Sequence, residues 1–171
     1  ITDAGGCTTS INVLITEPTT AFVASVSPTD VSCNGLSDGA ATVTITSGGT
    51  PAFTYNWSPS GGNAASAVGL SAGNYVVTIT DGSGCTYTSP VTIAEPLAIT
   101  SIITSVNATC GNNDGSATAT PSGGTPIAIG APYTYSWSNG QATQTANGFT
   151  PNTPYTVTIT DSNGCTQANT A

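Results

Sequence analysis

Cysteines and carboxylates are the side chains in this sequence with the most capacity for chemistry. The chain has five cysteines and eight acidic residues, and it contains no lysine, arginine or histidine. Without histidine or lysine the usual general bases are missing, and a glycosidase would need two carboxylates that converge across a cleft. The acidic residues instead recur at equivalent turn positions along the chain. We therefore predict that the protein is not an enzyme and has no catalytic residue.

Calcium is the metal ion that these carboxylates could hold, because Ca²⁺ prefers several oxygen ligands in flexible loops. The candidate ligands lie in Asp-Gly and Asp-x-x-Gly turns and are Asp38, Asp81, Asp114 and Asp161. A net charge of -8 with no cation to offset it would favour a bound divalent ion. An aspartate before glycine is above all a turn former that caps its own backbone. We therefore predict no required cofactor and retain calcium as a candidate.

The charge balance also bears on the possible partners. A chain with no basic side chain has nothing to neutralise phosphates, so binding to nucleic acid or to an anionic membrane surface is not expected. No apolar run approaches the roughly 20 residues that cross a bilayer, so membrane insertion is not expected either.

The sequence repeats itself with a period of about 78 to 80 residues. The clearest match is an Ile-Thr-Asp-x-x-Gly-Cys segment that ends at Cys7, Cys85 and Cys165. Nearly the same spacing relates Trp57 to Trp137. Several landmarks in the same order indicate a tandem array of one kind of domain.

The landmarks divide the chain into three parts. We interpret residues 1–18 as the C-terminal tail of a preceding repeat, 19–96 as a complete repeat, and 97–171 as a second repeat that is truncated before its last strand. This division is what a window cut from a longer polypeptide would show. The main difference between the two fuller copies is a five-residue insertion, and its apolar segment, Ile127 to Pro132, is a candidate recognition loop.

Side chains alternate with period 2 within each repeat. Tyr75, Val77 and Ile79, for example, alternate with Val76 and Thr78, which is the pattern of a half-buried strand with a threonine-rich outer face. Glycine-rich turns separate such segments, and nothing indicates a helix. We predict an all-β fold of tandem immunoglobulin-like β-sandwich repeats with roughly seven strands per unit. A small barrel is the alternative.

The ordered set of motifs resembles the SprB-type repeat, which occurs in very large surface adhesins of gliding Bacteroidota. Sandwich domains of the polycystic-kidney-disease type share the aromatic strand and the Gly-x-Tyr element and are the near alternative. The resemblance covers nearly the whole chain. The motifs in the first unit are Cys33-Asn-Gly, Asp38-Gly39, Gly48-Gly-Thr-Pro51, Phe53-Thr-Tyr-Asn-Trp57, Gly73-Asn-Tyr75 and Thr80-Asp-Gly-Ser-Gly-Cys85, and those in the second are Cys110-Gly, Asp114-Gly115, Gly123-Gly-Thr-Pro126, Tyr133-Thr-Tyr-Ser-Trp137 and Thr160-Asp-Ser-Asn-Gly-Cys165.

The resemblance implies a secreted protein at the bacterial cell surface, involved in adhesion or gliding motility. We accordingly expect a structural segment of an extracellular filament or adhesin that serves as fibre, stalk and surface attachment. The expected partners are neighbouring copies of the same unit and surface polysaccharide. The alternative function is a carbohydrate- or receptor-binding module of a secreted protein. Units could be joined covalently or by donation of a strand.

Two registers of disulfide pairing fit the repeat in an exported chain. The first pairs Cys33 with Cys85 and Cys110 with Cys165, and leaves Cys7 to a partner outside this sequence. The second pairs Cys7 with Cys33 and Cys85 with Cys110. We favour the first, because each small unit then has its own staple of about 2–4 kcal/mol. A strict immunoglobulin topology argues against it, since Cys33 and Cys85 would lie at opposite poles. Buried thiols or a zinc site are less favoured.

Overall fold

A computed structural model describes residues 1–2, 4–14, 21–125 and 132–171, and two successive sandwiches of antiparallel strands lie within residues 21–125 and 132–171. Strands β1 to β6 form the first unit and β7 to β12 form the second. The described residues contain no helix, and so none that could span a membrane. The strands are β1 (Val23–Thr29), β2 (Gly39–Ser47), β3 (Thr54–Ser58), β4 (Ser66–Leu70), β5 (Gly73–Thr80), β6 (Thr86–Ile93), β7 (Thr100–Val106), β8 (Gly115–Ser122), β9 (Thr134–Trp137), β10 (Thr145–Phe149), β11 (Thr156–Thr160) and β12 (Thr166–Thr170).

Alternation of side chains places one face of each strand in a core. In β5, Tyr75, Val77 and Ile79 are buried, whereas Val76 is 42% exposed on the opposite face. The buried apolar residues form two separate clusters, one in each unit. The predicted all-β fold is therefore confirmed.

The sheet order is the same in both units. In the first unit, β1-β2-β4 faces β3-β5-β6, and in the second, β7-β8-β10 faces β9-β11-β12. This arrangement corresponds to the A-B-E and C-F-G sheets of an immunoglobulin-like sandwich. We expected roughly seven strands per unit, but the described residues of each unit contain six. The strand that these residues lack is the D strand of the immunoglobulin-like sandwich.

The segment that could have formed the D strand instead wraps around a core tryptophan. The Trp57 backbone N–H donates to the Gly62 carbonyl at 3.1 Å, and its indole N–H donates to the Ala64 carbonyl at 2.9 Å. Gly61 has a φ of 123°, and a Cβ there would lie 2.9 Å from the Cβ of Trp57. A left-handed glycine pressed against an indole cannot continue a strand, which explains why the chain passes directly to β4.

The second unit has more of its last strand than the sequence indicates. We expected the chain to end before that strand, but Thr166–Thr170 forms β12 and pairs antiparallel with β11 over its whole length. Its sequence, Thr-Gln-Ala-Asn-Thr, has no hydrophobic alternation, so the strand is set by backbone pairing with β11.

The described residues before the first unit lie outside both cores. Thr2 and Thr8 form an isolated bridge. The apolar side chains that follow, Ile11, Val13 and Leu14, are between 73% and 85% exposed. Residues 3 and 15–20 are outside the described residues.

Candidate functional site at the junction of the two units

Each unit has two poles that differ in chemistry. The N-terminal pole of the first unit holds the chain entrance at Ala21 and the turn from Asp81 to Cys85, which are bridged by Thr50 and its neighbouring glycines. The C-terminal pole holds Cys33, whose neighbour Asn34 donates to the Pro96 carbonyl at 3.1 Å where the chain leaves the unit. The two cysteine-bearing turns of one unit therefore lie at opposite ends of the sandwich.

A buried aspartate organises the turn at the N-terminal pole. Asp81 is 5% exposed, and its carboxylate accepts backbone N–H bonds from Thr50, Ser83 and Cys85, each at 2.9 Å. Asp161 does the same in the second unit, accepting from Thr125 at 2.8 Å and from two N–H groups of its own turn. The carboxylate fixes the backbone of the cysteine that follows four residues later.

A second kind of aspartate organises the turn at the C-terminal pole. Asp38 accepts from the backbone N–H and the hydroxyl of Ser32. Asp114 accepts from the N–H of Thr109 at 2.7 Å and from its hydroxyl at 2.6 Å. These bonds lower the pKa of both carboxyls, with the hydroxyl as the largest cause in each.

The structure does not bring the four predicted calcium ligands together. Two lie at N-terminal poles and two at C-terminal poles, and each accepts hydrogen bonds from donors of its own turn. Among the described residues there is no group of three or more cysteine, aspartate or glutamate side chains that could hold a metal ion. Their common action in this structure is to shape the turns that bear cysteine.

The junction itself is held by a disulfide between the units. Cys33, at the C-terminal pole of the first unit, is bonded to Cys165, at the N-terminal pole of the second, with a Cα–Cα distance of 5.6 Å. This bond corrects both registers considered above, including the favoured pairing of Cys33 with Cys85. The physical reason is the one that counted against that pairing, since the two cysteines of one unit lie at opposite poles.

Polar contacts close the junction around the disulfide. The Asn163 side chain donates to the Ser32 carbonyl of the first unit at 3.0 Å. The Gly35 N–H donates to the Glu95 carboxylate at 2.7 Å, which fixes the connecting segment against the cysteine turn. A shallow groove of about 380 Å³ runs beside these contacts, with Leu36, Leu97 and Ile99 among its lining residues. The two units therefore meet head to tail through a disulfide and polar contacts.

The other cysteines lie away from this junction. Cys85 and Cys110 are exposed and carry no disulfide, the former at the N-terminal pole of the first unit and the latter at the C-terminal pole of the second. The predicted bond between Cys110 and Cys165 is absent because Cys165 is bonded elsewhere. Cys7 is exposed in the segment before the first unit.

The aromatic side chains belong to the cores. Trp57 and Trp137 are 4% and 3% exposed, and each indole N–H donates to a backbone carbonyl at 2.9 Å. Every other aromatic residue of the chain is buried or half-buried as well. The half-buried ones are Phe53, Tyr55, Tyr87 and Tyr155. In the insertion singled out by sequence, residues 127–131 lie outside the described residues.

Acid is expected to weaken the Asp81 turn. Hydrogen bonds, first of all from the Thr50 N–H, lower the pKa of Asp81 in the folded state. Its stabilising contribution is therefore complete above the unfolded value of about 3.9 and is lost as the pH falls through the folded pKa. Asp81→Asn should lower the melting temperature of the first unit at pH 7, and the gap to the wild type should narrow below about pH 4. A gap that stays constant between pH 7 and pH 2.5 would contradict this origin.

Comparisons with known proteins find a matching domain family and similar solved structures. Residues 25–62 and 102–142 each match the family model of the SprB repeat. A search of curated protein sequences finds no match. Among solved structures, the chain is similar to a structure described as the amphioxus IgVJ-C2 molecule, with 12% identity, a TM-score of 0.32, and coverage of 85% of this chain and 94% of that one. The resemblance to the SprB repeat is confirmed, and each match covers the first three strands of one sandwich, the first of them only in part.

Proposed function

We propose, from the two SprB repeats in this chain, that it is a structural segment of an extracellular filament or cell-surface adhesin on a bacterium. The SprB repeat is found in cell-surface proteins, and both this repeat and the immunoglobulin-like sandwich are structural rather than catalytic types of domain. In the proposed role the units form a fibre or stalk that carries a surface-attachment function.

The observation that carries the proposal is the head-to-tail junction. The C-terminal pole of the first unit is joined to the N-terminal pole of the second, so the contact is between two different surfaces. The outer pole of each unit stays available for a further contact of the same kind. A heterologous contact of this kind extends into an open array when its rotation does not close a ring. A repeated domain with such a junction is suited to a fibre.

The chemistry of the surface supports an extracellular setting. Disulfides persist in oxidising compartments, and the junction disulfide would be reduced in most cytosols. The chain also lacks lysine and arginine, so it has no cleavage site for trypsin-like proteases. A segment outside the cell would keep this disulfide and would resist cleavage by trypsin-like proteases.

The carbohydrate- or receptor-binding alternative finds less support. Recognition of sugars commonly uses exposed aromatic faces, and here every aromatic residue is buried or half-buried.

Solution scattering and electron microscopy test the fibre proposal. The oxidised chain should appear as two lobes in a line, and a genetic fusion of two copies should double the length without a wider cross-section. Gold-labelled antibody against the chain should decorate filaments on the surface of the cells that make it. A fusion that folds back into a compact particle, or label confined to the cell interior, would contradict the proposal.

A further inference from the structure

The exposed cysteines occupy the same kinds of turn as the bonded ones. The Cys85 N–H donates to Asp81 at 2.9 Å, as the Cys165 N–H does to Asp161 at 2.9 Å. The backbone N–H of each aspartate in turn donates to the carbonyl of its cysteine, at 2.9 Å and 3.1 Å respectively. Cys85 is therefore a structural copy of Cys165, presented at the N-terminal pole of the first unit.

The same correspondence relates Cys110 to Cys33. Each follows directly after a hydroxyl residue that donates twice, from its backbone N–H and from its hydroxyl, to an aspartate of the same turn. Those aspartates are Asp38 and Asp114, and each stands before the glycine that begins the next strand. Cys110 is therefore a structural copy of Cys33, presented at the C-terminal pole of the second unit.

We propose that Cys85 and Cys110 are the two halves of further junctions, and that each bonds to a neighbouring unit of the same fold in the register of Cys33 with Cys165. If the rotation and translation that relate the first unit to the second were applied again, the Cys165-type turn of a third unit would lie next to Cys110. The reverse step places a Cys33-type turn on Cys85. This inference rests on the proposed fibre function and names how adjacent units are joined.

The two exposed cysteines cannot satisfy each other within one chain by this geometry. Cys85 lies at the free N-terminal pole and Cys110 at the free C-terminal pole, with the Cys33–Cys165 junction between them.

The non-covalent part of the new junctions differs from the one seen here. The turn after Cys110 reads Gly-Asn-Asn and is one residue shorter than the turn after Cys33, which reads Asn-Gly-Leu-Ser. Ser83 replaces Asn163, whose amide reaches the Ser32 carbonyl across the observed junction. The elements shared with the observed junction are the cysteines and the turns held by aspartate. We therefore expect the disulfide to contribute more to the new junctions than the non-covalent contacts do.

Formation of each bond is an ordinary two-electron oxidation. Two thiols become one S–S bond, and a small disulfide such as oxidised glutathione takes up the two electrons and two protons to become two thiols. No side chain other than the two cysteines changes its covalent state.

The test uses the whole chain in a Cys7→Ser background, in which Cys85→Ser leaves only Cys110 available and Cys110→Ser leaves only Cys85 available. Equal amounts of the two variants are mixed in a glutathione redox buffer and run on a non-reducing gel, and the disulfide-linked peptides of the dimer band distinguish the mixed dimer from the symmetric dimers, which have the same mass. The expected product is the mixed dimer, in at least about a tenfold excess over either symmetric dimer, which corresponds to 1.4 kcal/mol of preference. Statistical proportions, mostly symmetric dimers or no dimer at all would overturn the register.

Peptide mapping makes the assignment direct. Cleavage before aspartate and before glutamate places each cysteine on its own peptide, namely 3–16, 30–37, 81–94, 95–113 and 161–171. The dimer should join 81–94 to 95–113, and the bond between 30–37 and 161–171 should persist in every variant as the control for folding. A bond between 30–37 and 81–94 would overturn the proposal. Elongated particles together with a different cysteine pairing would refute this register and leave the fibre function standing. Compact particles with the expected pairing would refute the fibre function and leave the register standing.

Discussion

Val77→Ala is expected to lower the melting temperature of the first unit by roughly 10 °C or more, and to leave the second unit unchanged. Val77 is 0% exposed and lies in the first of the two separate cores. Truncation of a fully buried valine removes about 2–3 kcal/mol of burial and leaves a small cavity. A unit of this size has only several kcal/mol in total, so the change is a large part of its stability.

The chain supplies two matched controls for this experiment. Val76→Ala removes the same atoms from the neighbouring position, which faces outward and is 42% exposed, so its effect should be small. Val157→Ala makes the equivalent change in the second core, where Val157 is 0% exposed. It should lower the melting temperature of the second unit and leave that of the first unchanged. Hydrogen exchange read separately over β1–β6 and β7–β12 assigns each transition to a unit. A joint loss of protection in both units would show that they unfold as one body.

The separate cores could be predicted from the sequence because they depend on local patterns. Period-2 alternation in the segment that contains Val76 and Val77 fixes which side faces inward, whatever the rest of the chain does. The tryptophans and the aspartate turns are equally local. Asp81 contacts its own turn at Ser83 and Cys85, so its role as a turn former follows from a few residues.

The junction could not be predicted in the same way because it depends on which poles meet. Cys33 and Cys165 are 132 residues apart, and no local pattern distinguishes them from the other cysteines. One signal was available, since an immunoglobulin-like topology places Cys33 and Cys85 at opposite ends of a unit. The same topology indicates that a cysteine at one pole of a unit forms its disulfide with a cysteine of a neighbouring unit. Strand β12 is a second case, since its pairing with β11 rather than its composition makes it a strand.

Loss of the junction disulfide is expected to change the shape of the molecule far more than its stability. If the 132-residue loop that it closes had to be ordered from a random chain, its loss would cost about 5 kcal/mol. The loop, however, contains two units with cores of their own, and the connecting segment around Glu95 and Pro96 already holds the two poles near each other. Most of that entropic contribution is therefore not available to either unit, and the bond acts chiefly on their relative orientation.

The double variant Cys33→Ser with Cys165→Ser should therefore shift the melting temperature of each unit by only a few degrees. Small-angle scattering should show a broad distribution of inter-unit distances in place of the single arrangement fixed by the bond. Cys85→Ser is the matched control, because it removes a thiol from an exposed turn of the same kind at a pole where no bond is present. A variant that keeps the wild-type distance distribution would mean that the Asn163–Ser32 and Asn34–Pro96 contacts are sufficient to fix the junction. A large fall in both melting temperatures would mean instead that the two cores are thermodynamically coupled through the bond, and a fibre built from such units would then draw its strength from the disulfides rather than from its sandwiches.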